Sequence, residues 1–210
     1  MADPQPPSFP MRTLGRLVKV KAGEGAILFF STSYFFLLLF GYYLLRPMRE
    51  AFGIARGADK LPWLMTGTMA CMFLANPAFA ALVSRFPRRR FIPMAYRFCA
   101  ANMAIFYGLF RFLPGHGGTA LGYAFYVWLS VFNLFAVSVF WAFMADGLSE
   151  EQGKRLFGFI AMGGTLGAIA GAAVTEALVK VRVDAGTLLL VAILCLELAV
   201  LCVQIGRAHV

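Results

Sequence analysis

Two arginines three residues apart, Arg46 and Arg49, stand with Glu50 at the end of the first long apolar run of this chain. On a helix that spacing puts both guanidinium groups on one face, where their forked donors suit a phosphate-bearing anion. A plainer arrangement competes. Arg46 and Glu50 are four apart and can pair at a surface, and Pro47 biases Arg46 away from helical geometry. Arg97, Glu176 and Glu197 lie within other apolar runs. Ionisable groups in hydrocarbon are costly and point to function. Glu176 is close enough to the end of its run to snorkel, and Arg97 can snorkel toward a basic loop. Glu197 has no interface near it and is expected to be paired or to face a cavity, to which Asn76, Asn102 and Asn133 add polar groups. The chain has no Ser/His/Asp set, no H-E-x-x-H and no Walker A sequence. Cys71, Cys99, Cys195 and Cys202 have no metal-ligand spacing. Enzyme activity, cofactors and metals are therefore not expected.

The elements that carry these residues follow from composition. Of 210 residues, 60% are apolar and 14% charged, against roughly 25% charged in a soluble domain. A soluble fold has no place for so much apolar surface, and 22 phenylalanines exclude a disordered chain. Unbroken apolar runs of about 20 residues match membrane helices, not the alternating strands of about ten residues in a β-barrel. Six runs qualify: 26–45, 61–83, 91–112, 121–145, 156–179 and 186–204. The expected fold is all-α, a polytopic membrane protein with six transmembrane helices over 26–204 after a polar tail, 1–25. Residues 205–210 resemble a translated sequencing adapter. They are set apart, with His209, as a scar that cuts the gene short.

The net charge of +9 reports topology rather than a nucleic-acid partner, because Lys and Arg gather in cytoplasmic loops. With the N-terminus inside, Arg12, Arg16, Lys19, Lys21, Lys154 and Arg155 are inside, together with the cluster Arg85, Arg88, Arg89 and Arg90. Arg46, Arg49, Arg56, Lys60, Arg111, Lys180 and Arg182 are outside. The excess favours an N-terminus in the cytoplasm. Gly163, Gly167 and Gly171 form a GxxxGxxxG ridge in the fifth run. Such a ridge serves tight packing, or a smooth face along which helices rock.

The loop Ser84-Arg85-Phe86-Pro87-Arg88-Arg89-Arg90 resembles the basic loop of major facilitator transporters, without the acidic residue that precedes its first arginine there. Asp146 is the carboxylate placed to take that part. Together with this loop, Tyr42–Ile54 (YYLLRPMREAFGI), Phe140-Trp141-Ala142-Phe143 and Glu150–Gly158 (EEQGKRLFG) resemble the ATP/ADP antiporters of plastids and obligate intracellular bacteria, in the form found in other bacteria. The resemblance spans residues 42–175 or so and implies the N-terminal half of a major facilitator fold. It implies that Arg49, with Arg46 and Glu50, occupies a segment used in nucleotide transport, and that Glu151, Lys154 and Arg155 match a second charged stretch. Gln152-Gly153, Leu156 and arginine at 49 depart from the family pattern.

The expected function is exchange of ATP and ADP, or related phosphorylated anions, by alternating access. The alternatives are a facilitator carrier of a non-nucleotide solute and a non-transporting membrane scaffold. The expected substrate-binding set is Arg46, Arg49, Glu50, Arg97, Asn133, Glu151, Lys154, Arg155 and Glu197, with gating or packing by Arg85, Arg88, Arg89, Arg90, Asp146, Gly163, Gly167 and Gly171. The expected partners are an anionic small molecule, membrane lipid and the C-terminal half of the same polypeptide. The expected location is the inner membrane. In a chain freed of its four cysteines, Gly117→Cys should react with an impermeant maleimide from outside, and Ser84→Cys only after permeabilisation. The opposite pattern inverts the topology.

Overall fold

The computed structural model describes residues 21, 24–55, 57–85, 88–113 and 118–206. Among them the regular structure is helical: α1 (Glu24–Ile54), a 3-10 turn (Ala58–Lys60), α2 (Leu61–Arg85), α3 (Arg88–Phe112), α4 (Gly118–Gly147), α5 (Glu150–Lys180) and α6 (Ala185–Gly206). Each apolar run lies inside one helix, and every helix extends beyond its run. The largest extension is in α1, which was expected to close at residue 45 and continues to Ile54 through Pro47. Proline removes one N–H, but burial of the following turns, including Met48 and Gly53, keeps the helix going. The supposed loop 46–60 is thus mostly helix, and Arg46, Arg49 and Glu50 are helical residues. At the other end α1 includes Glu24, which had been assigned to the tail.

The stretch 146–155, expected as a loop, is mostly the first turns of α5. Ser149 caps that helix. Its side chain accepts from the Gln152 amide N–H at 3.3 Å, and the Gln152 side chain accepts from the Ser149 N–H at 3.0 Å. This reciprocal pairing satisfies two N–H groups that a helix start leaves open. Helix α6 runs through Ile205 and Gly206, two of the residues set apart as a scar, and 207–210 lie outside the described residues.

Four helices, α1, α4, α5 and α6, are long and apolar enough to cross a membrane among the described residues, rather than the six expected. Helix α3 carries Arg97 and Asn102 in its apolar run, which dilute it.

Helices consecutive in the chain run in opposite directions, whereas α1 and α5 run parallel, so the bundle has a Glu24 end and an Ile54 end. Helix α1 packs most extensively on α5, then on α6 and α4, while α2 and α3 pack on α4, and α3 on α6. Most of these pairings correspond when α1, α2 and α3 are exchanged with α4, α5 and α6, although α1 packs on α5 and α6 far more extensively than α4 does on α2 and α3. The packing of α1 on α5 corresponds to that of α4 on α2, and α1 on α6 to α4 on α3. Because α1 and α4 are antiparallel, the exchange also reverses the direction of each helix.

The glycine ridge explains why α1 and α5 pair most closely. A Cβ at Gly163 would come within 3.0 Å of the Thr32 carbonyl, and one at Gly171 within 2.5 Å of the Phe40 carbonyl. At Gly167 it would run into the Phe36 carbonyl. Thr175 extends the ridge by one more turn, its hydroxyl 2.9 Å from both the Leu44 and Gly171 carbonyl oxygens. The aromatic core lies on other faces of α1. Phe35 stacks on Phe140 with centroids 4.1 Å apart, and Tyr34, Tyr96 and the Ala136 carbonyl form a buried hydrogen-bond chain.

Gly167→Ala should therefore push α1 from α5 and lower stability by about 1–3 kcal/mol. Gly158→Ala, on the same helix with no atom within 4 Å of the added carbon, should stay within about 0.5 kcal/mol. Thermal unfolding in detergent, followed by loss of monodisperse protein, reads the difference.

Candidate functional site

The residues expected to bind substrate occupy three separate levels of the bundle. Arg46, Arg49 and Glu50 lie near the Ile54 end of α1. Arg97 and Glu197 face each other between α3 and α6, and Glu151, Lys154 and Arg155 stand in the first turns of α5 at the Glu24 end. Tyr34 bonds Tyr96, so Arg97 is near the depth of Tyr34 on α1. Arg49 is fifteen residues further along the same helix, about 22 Å away along its axis. One small anion cannot touch all three groups.

The first group gathers two arginines and a glutamate where α1 meets α4. Arg49 emerges from α1 onto α4, its guanidinium carbon 4.2 Å from the centroid of the buried Tyr126 ring. Only 15% of its side chain is exposed. Its Nη1 donates to Glu50 Oε1 at 2.9 Å, and its buried Nε has no hydrogen-bond partner among the described residues. An aromatic face attracts the cation electrostatically without using its N–H donors. Arg49 is thus desolvated, held flat and left with spare donor capacity. Arg46 is more exposed. It lies 5.2 Å from the Tyr43 ring centroid and 3.9 Å from Glu50, so the expected pair with Glu50 is looser than the one Arg49 makes. Asn133 lies seven residues from Tyr126 and seven from Phe140, on the face of α4 that meets α1, half-buried two turns deeper than Arg49.

The third group is tied up by a residue outside the expected set. Glu24 accepts from Arg155 Nη2 at 2.8 Å and Gln152 Nε2 at 3.3 Å on Oε1, and from Arg155 Nη1 at 3.1 Å and the Lys21 amide at 2.9 Å on Oε2. Its side chain is 9% exposed and that of Arg155 23%. A bidentate pair with both carboxylate oxygens satisfied is the strong form of the interaction. Lys154 pairs with Glu150 at 2.6 Å, and Lys21 with Glu151 at 3.6 Å, all on the surface. Glu24 was legible only as an acid before an apolar run, the position favoured at a helix N-terminus. Tyr126 carried no signal, since its pairing with Arg49 needs the antiparallel register of two distant helices.

Among the gating candidates, Arg85 ends α2, and Arg88, Arg89 and Arg90 begin α3, while their side chains lie outside the described part of the structure. Asp146 is exposed in the last turn of α4 at the same end of the bundle. A cleft opens between α1, α4 and α6 at that end. Its lining is largely apolar, including Ile27, Phe30, Phe143 and Val203, with Ser31 and Tyr34 as the polar groups.

Glu24→Gln removes the charge that organises the α1 and α5 starts and should lower the unfolding midpoint at least twice as far as Lys154→Ala, which breaks only an exposed pair. Equal midpoints for the two variants would reduce the Glu24 network to surface decoration. No protein-family model, curated protein or solved structure matches the chain.

Proposed function

We propose that this chain is the N-terminal half of a major facilitator carrier that exchanges nucleotides or related phosphorylated anions across the inner membrane, with Arg49 as the central substrate contact. One observation carries the reading: a desolvated guanidinium, braced on Tyr126 between α1 and α4, with its Nε unpaired. In major facilitator carriers the substrate cavity lies between the two six-helix halves. Helices α1 and α4 meet at Arg49. Glu50 holds Arg49 in the absence of substrate and is 48% exposed, so an entering phosphate can displace it. Arg46, one turn earlier, supplies a second cation, and Asn133 a neutral donor below.

The remaining charges support the same placement. Lys21, the starts of α3 and α5 and the end of α2 put basic residues at the Glu24 end, which supports a cytoplasmic position for that end. Glu24 with Arg155 then ties α1 to α5 at the inner surface, a structural role rather than substrate contact. Helix α2 is open along much of its length, with Trp63, Phe73 and Leu74 exposed. That surface fits a second six-helix half.

The complete polypeptide in proteoliposomes, preloaded with ADP and offered labelled ATP, tests the site. Arg49→Ala should cut exchange at least about tenfold, equivalent to about 1.4 kcal/mol, at unchanged amounts of folded protein. Tyr126→Leu, which removes the ring face, should raise the KM for substrate. Exchange untouched in Arg49→Ala removes the site. Exchange of inorganic phosphate but not ATP keeps the site and rejects the nucleotide.

A further inference from the structure

The Arg97–Glu197 pair is not absorbed by this site. Glu197 is nine residues from Gly206 and twelve from Ala185, about 14 and 18 Å from the two ends of α6. The pair is therefore near mid-depth, yet its side chains are 59% and 40% exposed. Around it the outward surface is apolar, with Phe98, Ile105, Leu194 and Leu198 exposed. Nε and Oε2 are 3.7 Å apart, an attraction beyond hydrogen-bond range. Facing hydrocarbon, both groups would leave donors and acceptors unmet where no water can serve them. Such residues in membranes face protein or a watery cavity.

We infer that a second copy of this chain covers the α3–α6 face, forming a two-fold dimer in which Arg97 of each copy meets Glu197 of the other. Charge complementarity selects this occupant. The two groups touch, so they share one depth, and they lie side by side on antiparallel helices. A two-fold axis along the membrane normal preserves depth and reverses lateral order. It therefore sets each arginine opposite a glutamate and closes a ring of four alternating charges, as an isologous interface requires. The surface permits close approach as well: Ala101 and Ala104 are exposed, and no atom lies within 4 Å of where a Cβ at Gly108 would stand. The inference requires the membrane location alone and is independent of the substrate.

The test uses the chain in two differently tagged forms, co-expressed and reconstituted into lipid vesicles, with co-capture and single-molecule bleaching as readouts. Wild-type chains should co-capture and bleach in two steps. The double variant R97E/E197R keeps the pair within each chain and reverses its polarity. It should associate with itself as wild type does, and with wild type at least tenfold less. R97E alone should lose self-association and regain it when mixed with E197R. Free mixing of wild type with R97E/E197R, or one-step bleaching of wild type in dilute lipid, overturns the dimer.

Discussion

The backbone contact between α1 and α5 is the constraint on which the other positions depend. Three glycines bring the two helices together until side chains at those points would strike carbonyl groups. Two ridges that meet every fourth residue over four successive turns have little freedom to slide, because a shift of one residue would set a larger side chain against the opposing backbone. With α1 held in this way, its other faces receive the rings of α4 and the aliphatic side chains of α6. The same register brings Arg155 to Glu24 at one end of α1 and leaves Arg49 free to lean on α4 near the other. Packing and electrostatics are thus one arrangement: the charged groups are placed by residues that have no side chain.

The charges then sort by depth. Exposed i,i+4 pairs, Lys154 with Glu150 and Lys180 with Glu176, lie at opposite ends of α5, where water screens them. The buried Glu24 network lies at one end and is fully satisfied. Arg49 is desolvated on an aromatic face and incompletely satisfied. Arg97 and Glu197, deepest of all, have each other at a distance that attraction alone explains. Unmet hydrogen-bonding capacity is greatest where the surroundings can least supply it.

Among the described residues, helix number and order were legible because apolar runs report burial directly. The six runs and the glycine spacing, both periodic features of a single segment, led to the correct helices and the correct ridge. Boundaries were less legible because hydropathy marks where a helix becomes apolar, not where its hydrogen bonds stop. Glu24, Pro47, Glu150 and Gly206 all belong to helices that outrun their apolar runs. The Ser149–Gln152 capping box was present in the letters and would have moved the start of α5 to its proper place. The site was legible only in part. Arg49 drew notice by charge, but its partner Tyr126 is one aromatic among many, and Glu24 looked like part of a polar tail. Which distant residues meet is decided by interhelical register, and a single sequence without covariation does not encode that in any short pattern.

The unequal lengths of α1 and α6 have a consequence for the bilayer that holds them. Helix α6 has 22 residues, about 33 Å, close to the hydrocarbon thickness of about 30 Å. Helix α1 has 31 residues, about 46 Å. Gly206, the last residue of α6, packs beside Phe30 of α1, so α1 continues beyond its neighbour by six residues, about 9 Å. With α6 spanning the hydrocarbon, the Glu24–Arg155 link falls about 9 Å beyond its end, at the depth of the headgroups. A thicker membrane would draw that link into hydrocarbon, while a thinner one would strand the apolar end of α6 in water. The short helix and the charged staple thus define two lengths at which a bilayer of about 30 Å meets the bundle without burying a charge.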